Sequence, residues 1–250
     1  MNRWRAVARV MRAALHVLHG LWLASVRFPR LPESHREAAV QAWAQRMLAV
    51  CGIGLSVRGT PPASGPVLLV ANHISWLDIL VMHAARHCRF VSKSDVRHWP
   101  LIGTLATAAG TLYIERASRR DAMRVVHHMA DALRNGEVVA IFPEGTTGDG
   151  ISLLPFHANL LQAAISADAP VVPVGLRFVD DLSGDTSLAP SYIGDESLLV
   201  SFWRTLCAPG ITAVVSYGPA QRAEGRDRRT WASDLHGTID ALRIHGPQSS

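Results

Sequence analysis

Residues 67–78 read Val67-Leu68-Leu69-Val70-Ala71-Asn72-His73-Ile74-Ser75-Trp76-Leu77-Asp78. The first five are apolar without alternation and bounded by polar residues, which predicts a strand buried on both faces of a covered sheet. The next seven turn the chain into a helix expected near Trp76–Arg86. A histidine at the carboxyl end of such a strand sits where open α/β sheets place their sites. Along one continuous helix His73 and Asp78 would be about 140° apart. They can meet only if His73 lies in the turn and Asp78 in the first helical turn. Ser75-x-x-Asp78 is equally a capping box, with Asp78 complementing the helix dipole. Both readings stand at this point.

Working outward, further short apolar runs predict strands at Leu55–Arg58, Arg89–Ser92, Thr111–Glu115, Val138–Phe142, Val171–Phe178 and Ile211–Tyr217. Helical stretches fall between them, near Pro100–Ala109, Ser118–Asn135, Ala158–Ala167 and Thr230–Arg243. Strands alternating with helices predict an α/β fold, a mostly parallel sheet flanked by helices. Pro173 within Val172-Pro173-Val174 is permissible at an edge or a bulge. The stretch from Asp180 to Asp195, rich in Gly, Ser, Asp and Pro, is expected to be a long surface loop.

The first fifty residues differ. No acid precedes Glu33, and the uncharged run Ala13–Val26 spans 14 residues, short of the roughly 20 needed to cross a bilayer. No cleavage site follows it, so a signal peptide is disfavoured. Arg5, Arg9, Arg12, His16 and His19 step by three and four, predicting one polar helical stripe. Val7, Val10, Ala14, Val17, Leu18, Leu21 and Trp22 fill much of the rest. Such a helix either lies in a membrane interface or docks on the body with its basic side in water. A second helix is expected to start at a Ser34-x-x-Glu37 capping box and run to about Ala49. Residues 1–50 are therefore read as an amphipathic two-helix membrane-association segment, and 51–250 as the α/β domain.

Composition narrows the classes. Of 250 residues 48% are hydrophobic and mean hydropathy is +0.14, which excludes a disordered chain. The net charge of +5 favours anionic partners, but aromatics are 6% and no nucleic-acid motif is present, so nucleic acid is excluded. Cys51, Cys88 and Cys207 lack metal or disulfide spacing, fitting a reducing compartment. His83 and His87 are spaced to share a metal, but without a nearby acid they read as a surface pair, and no metal is expected. Nucleotide-binding, hydrolase-elbow and zinc-protease motifs are absent. Of 25 basic residues only Lys93 is lysine, which draws attention to its position.

Three further stretches carry chemistry: Gly110-Thr111-Leu112-Tyr113-Ile114-Glu115-Arg116, ending on an anion-binding arginine; Phe142-Pro143-Glu144-Gly145-Thr146; and Val172-Pro173-Val174. With Asn72-His73 and Asp78 they occur in the order and spacing of the glycerolipid acyltransferase superfamily, and the chain resembles its 1-acylglycerol-3-phosphate acyltransferase branch. The segment Lys93–Gly103 is similar to the family's stretch between its first two blocks. The resemblance spans about residues 50–220. It implies acyl transfer from a thioester to a lysolipid hydroxyl, with His73 as general base and Asp78 orienting it. It implies Arg116 and Lys93 as cations for an anionic head group, with Glu144, Gly145 and Thr146 at the acceptor. It further implies an acyl-carrier-protein or coenzyme A donor as co-substrate, no other cofactor, and a bacterial protein peripheral or monotopic at the cytoplasmic face of the inner membrane. Lysophosphatidate is the first acceptor expected. Residues 148–160 also resemble bacterial relatives that acylate lyso-ornithine lipid. A lipid-binding protein without catalysis is the remaining alternative.

Overall fold

The computed structural model describes residues 3–114, 119–194 and 196–247. Seven strands, β1 (Ile53–Arg58), β2 (Val67–Ala71), β3 (Arg89–Lys93), β4 (Leu112–Ile114), β5 (Val138–Ile141), β6 (Val171–Asp180) and β7 (Ile211–Tyr217), form one sheet in the order β1-β7-β6-β2-β5-β3-β4. Every pairing is parallel except β6 with β7. The eight α-helices described are α1 (Arg3–Trp22), α2 (Glu33–Cys51), α3 (Leu77–Ala85), α4 (Ile102–Ala108), α5 (Arg119–Arg134), α6 (Gln162–Ala167), α7 (Leu198–Cys207) and α8 (Arg228–His245).

The two-faced apolar runs build two cores. Val67, Leu69, Ala71 and Ala140 point into one, shared with α2 and α3. Leu68, Val70, Val139 and Ile141 point into the other, shared with α5, α6 and α8. This period of two makes three layers, helix on sheet on helix.

Pro173 sits in the central strand β6, not at an edge. Val171 bridges to Gln221 and Val174 pairs with Tyr217, so the register slips by one residue across Pro173. This bulge is where a residue without an N–H is tolerated.

Two expectations need correction. Helix α2 begins at Glu33 after Pro32 with no side-chain cap, so the Ser34–Glu37 box does not form; its residues Ala44, Met47, Leu48 and Cys51 pack into the main core. The loop after β6 is not merely surface, and it leads into α7, which was not foreseen.

In α1 the polar stripe is split. Arg9 Nη1 donates to the carbonyls of Leu206 and Ala208 at 2.9 and 3.2 Å. His16 Nε2 lies 2.9 Å from the Trp43 carbonyl, Trp43 Nε1 donates back to the His16 carbonyl, and the two rings stack. With Ala6, Ala13 and Gly20 these residues face inward; a side chain at Gly20 would collide with the Trp43 indole. Arg5, Arg12 and His19 remain exposed. Acceptor carbonyls on the body satisfy Arg9 and His16, and small residues let the helix approach closely.

Candidate active site

The carboxyl ends of β2, β5, β3 and β4 lie side by side, so the turns carrying the motifs converge on one edge. His73 follows β2. Its Nδ1 lies 2.8 Å from Asp78 Oδ2, with the histidine 18% exposed and the aspartate fully buried. The same oxygen accepts the backbone N–H of Ile74 at 2.6 Å and of Ser75 at 2.8 Å. The two readings of Asp78 are therefore one arrangement: it ties down the turn and holds the imidazole. A carboxylate taking several charge-assisted hydrogen bonds fixes geometry as well as charge. Its other oxygen, Oδ1, is buried with no partner among the described residues.

Asn72 anchors the turn from behind. Its side chain donates to the Leu176 carbonyl and accepts from the Leu176 N–H. Ser75 Oγ accepts from Leu77 N–H and donates to the Pro190 carbonyl.

Glu144, after β5, is 5% exposed. Oε1 accepts the His73 N–H at 2.7 Å and Oε2 accepts the Leu154 N–H at 2.8 Å. Burial raises its carboxyl pKa, and the two N–H bonds and His73 pull against that rise. Phe142 stacks on the His73 ring, centroids 4.0 Å apart at 6°, and Gly148 N–H donates to the His73 carbonyl. Phe142 and Gly148 were given no role in the sequence; a large apolar residue ending the strand beside β2 was the only available signal. Gly145 adopts φ +72, the left-handed region that favours glycine, and its N–H donates to the Phe142 carbonyl. That N–H closes the turn and is spent within the chain. Thr146 is exposed.

Lys93 ends β3 and is exposed. Two strand spacings, roughly 10 Å, separate β3 from β2, and Lys93 pairs in register with Ile114 of β4. Arg116 lies outside the described residues.

The remaining candidates fall elsewhere. His83 and His87 are buried and stacked, not a surface pair; burial pushes their pKa values down to about 3 and about 4. Among the described residues, no three His, Cys, Asp or Glu side chains are placed to hold a metal. Cys88 is fully buried with its thiol pKa pushed up, and Cys207 is partly buried.

A buried carboxylate on a histidine at the edge of a mostly parallel sheet defines a class, and the comparisons name it. A sequence model of the acyltransferase family matches residues 55–177. The 1-acyl-sn-glycerol-3-phosphate acyltransferase of Neisseria meningitidis serogroup B is 37% identical over 213 residues, 84% of this chain and 82% of that protein. The lyso-ornithine lipid O-acyltransferase of Pseudomonas aeruginosa is 39% identical over 213 residues, 82% of this chain and 81% of that protein. The crystal structure of the 1-acyl-sn-glycerophosphate acyltransferase of Thermotoga maritima shares the fold, with TM-score 0.62 at 18% identity, over 97% of this chain and 100% of that one. The chain belongs to the glycerolipid acyltransferase family, in its 1-acylglycerol-3-phosphate acyltransferase-like branch, and is an enzyme.

Proposed function

We propose that the enzyme moves a fatty acyl group from a thioester, acyl-carrier protein or acyl-CoA, to the free hydroxyl of a lysolipid at a membrane surface. The observation that carries this reading is the 2.8 Å contact between His73 Nδ1 and Asp78 Oδ2, which leaves Nε2 as the proton acceptor. As the acceptor's hydroxyl oxygen attacks the thioester carbonyl, Nε2 takes its proton. Collapse of the tetrahedral intermediate expels the thiolate, which the imidazolium protonates. The thiol is a good leaving group, so no acyl-enzyme and no cofactor is required. Asp78 stabilises the imidazolium, and Phe142 offers it an aromatic face. General-base assistance is typically worth about 10²–10⁴ in rate.

Lys93 and Arg116 supply positive charge for the acceptor's anionic group, and Thr146 an exposed hydroxyl. Glu144 and Gly145 shape the turn and position the acceptor's glycerol part, each Glu144 oxygen keeping a lone pair for it.

Among the described residues no helix is long and apolar enough to cross a membrane. The exposed side of α1 instead carries Trp4, Val7, Met11, Leu15, Leu18 and Trp22, flanked by Arg5 and Arg12. Such a face suits a bilayer interface, here the cytoplasmic face of the inner membrane.

Lysophosphatidate is the first acceptor. The 39% identical lyso-ornithine lipid relative supports a second reading with lyso-ornithine lipid, whose carboxylate would meet the same cations. The test offers both donors to both acceptors and follows product by mass spectrometry, with His73→Ala as the blank. Phosphatidate from wild type alone is expected. Acylated ornithine lipid without phosphatidate moves the acceptor, and normal turnover by folded His73→Ala overturns the mechanism.

A further inference from the structure

Helix α7, Leu-Leu-Val-Ser-Phe-Trp-Arg-Thr-Leu-Cys from 198 to 207, is built inside out. Its polar Ser201 and Thr205 are fully buried, whereas Leu199, Val200 and Trp203 are 76%, 54% and 42% exposed. A helix packed on a water-soluble body does the reverse. Its one charged residue, Arg204, is paired with Glu196 and donates to the carbonyls of Ala189 and Ser191, so the helix carries no unpaired charge. Helix α1 shows the same inversion, with Arg9 and His16 inside and its large apolar residues outside. The two helices touch: Arg9 caps the carbonyls of Leu206 and Ala208 at the end of α7.

The inner face of α7 is joined to the catalytic turn. Trp76 Nε1 donates to Ser201 Oγ at 3.2 Å, and the Trp76 and Phe202 rings pack together. Ser201 Oγ also reaches the Pro190 carbonyl, which accepts from Ser75 Oγ at 2.5 Å. In the same segment, Tyr192 N–H donates to the Ile74 carbonyl and its own carbonyl accepts from Thr147 Oγ1. Both motif turns thus hang from the segment that α7 closes.

We propose that α7 is a second bilayer-seated helix, which together with α1 lays the His73 turn on an anionic lipid surface. This rests on the membrane reading above and extends it to an element outside the N-terminal region. Charge selects lipid over a second copy of this chain. No acid lies within residues 3–32, and Arg5, Arg12 and Arg27 are exposed beside the apolar stripe. Two copies meeting there would set arginine against arginine, whereas anionic phosphates complement them. Scale fits as well. A helix is about 10 Å across, so a turn held on the inner side of α7 stands near the head-group layer when the outer side is immersed. The lysolipid hydroxyl then needs little lifting from the bilayer.

The test compares the full-length wild type, Leu199→Glu/Trp203→Glu and Leu15→Glu/Leu18→Glu. Vesicles are equal parts phosphatidylglycerol and phosphatidylethanolamine. Acceptors are a long-chain lysophosphatidate in those vesicles and a water-soluble hexanoyl one. The α7 variant should lose vesicle flotation and long-chain transfer by about tenfold or more, with hexanoyl transfer and melting temperature unchanged. If it floats and turns over like wild type while the α1 variant is released, α7 is not seated and only the α1 contact stands. If both variants float like wild type, the membrane reading itself fails. A dimeric wild type that the α7 substitutions render monomeric in light scattering would assign the face to a second copy and overturn the proposal. Trp203 in otherwise native protein gives a readout independent of activity and of folding in the double variant. Bilayer lipid brominated on its upper acyl chain should quench wild type more than Trp203→Phe, the difference being the Trp203 share. No quenching assignable to Trp203 overturns the proposal.

Discussion

The catalytic turn and the outer face of α1 and α7 reverse the usual placing of polarity in opposite ways. Around His73, polar groups are buried and mostly paired: Asp78 Oδ2, Asn72 Oδ1 and both Glu144 oxygens take neighbouring N–H groups, while Asp78 Oδ1 has no partner among the described residues. On the outer face, tryptophan, leucine and valine are left in the open. Buried polar groups cost free energy unless partnered, so the bonds made here hold the turn in one arrangement. An apolar face left in water asks for another phase. The first region should govern turnover and ignore the lipid; the second should govern lipid access and leave turnover alone.

The sharpest separation comes from Asp78→Asn. The amide would point an N–H₂ or a single oxygen at donors now held by one carboxylate, and the imidazole would lose its charged partner. Transfer should fall by about 10²–10⁴, and by the same factor for hexanoyl and vesicle-borne acceptors. Because Ile74 and Ser75 also lose a charged acceptor, each bond worth about 1.5–3 kcal/mol, the melting temperature should drop by about 2–4 °C per kcal/mol lost. Unchanged transfer with a lowered melting temperature would make Asp78 a cap and nothing more.

Glu144→Gln is a smaller and more discriminating change. One amide oxygen cannot accept from both His73 and Leu154, so the general base loses its backbone anchor without losing Asp78. A misplacement of the order of 1 Å can cost up to about 10² in rate. We expect kcat to fall about 10- to 100-fold, with the acceptor KM within about twofold. A raised KM with kcat intact would show Glu144 acting on the acceptor alone, as the family resemblance implies.

The two regions also differ in how they are written in the sequence. The His73–Asp78 contact was legible because a strand, a turn and a helix start fix its geometry over six residues. All seven strands were legible for a related reason: Val-Leu-Leu-Val-Ala and Val-Val-Ala-Ile commit to a covered sheet whatever the rest does. What α1 does with Arg9 and His16 was not legible, since it depends on carbonyls of Trp43, Leu206 and Ala208 that only the fold brings near. Helix α7 escaped notice because its Ser201 and Thr205 suggest an outside, and only the segment 189–192 makes them an inside. The bond from the His73 N–H to Glu144 was not legible either, because the two residues lie 71 positions apart.

The weakest expected effect tests the lipid side of the comparison. Arg12 is exposed on α1 beside Met11 and Leu15. One arginine near an anionic surface is worth about 1 kcal/mol, or roughly fivefold in partitioning. Arg12→Gln should therefore weaken binding to phosphatidylglycerol-containing vesicles about fivefold at low salt. The difference should vanish near 1 M salt, where the screening length falls to about 3 Å, and hexanoyl transfer should not change at any salt. A loss that persists at high salt would mean the arginine acts through its apolar stem, lying along the membrane with its neighbours. The outer face would then bind by area alone. A loss of hexanoyl transfer would be more damaging, because it would show the two regions coupled without lipid, and the division between a turnover region and an access region would not hold.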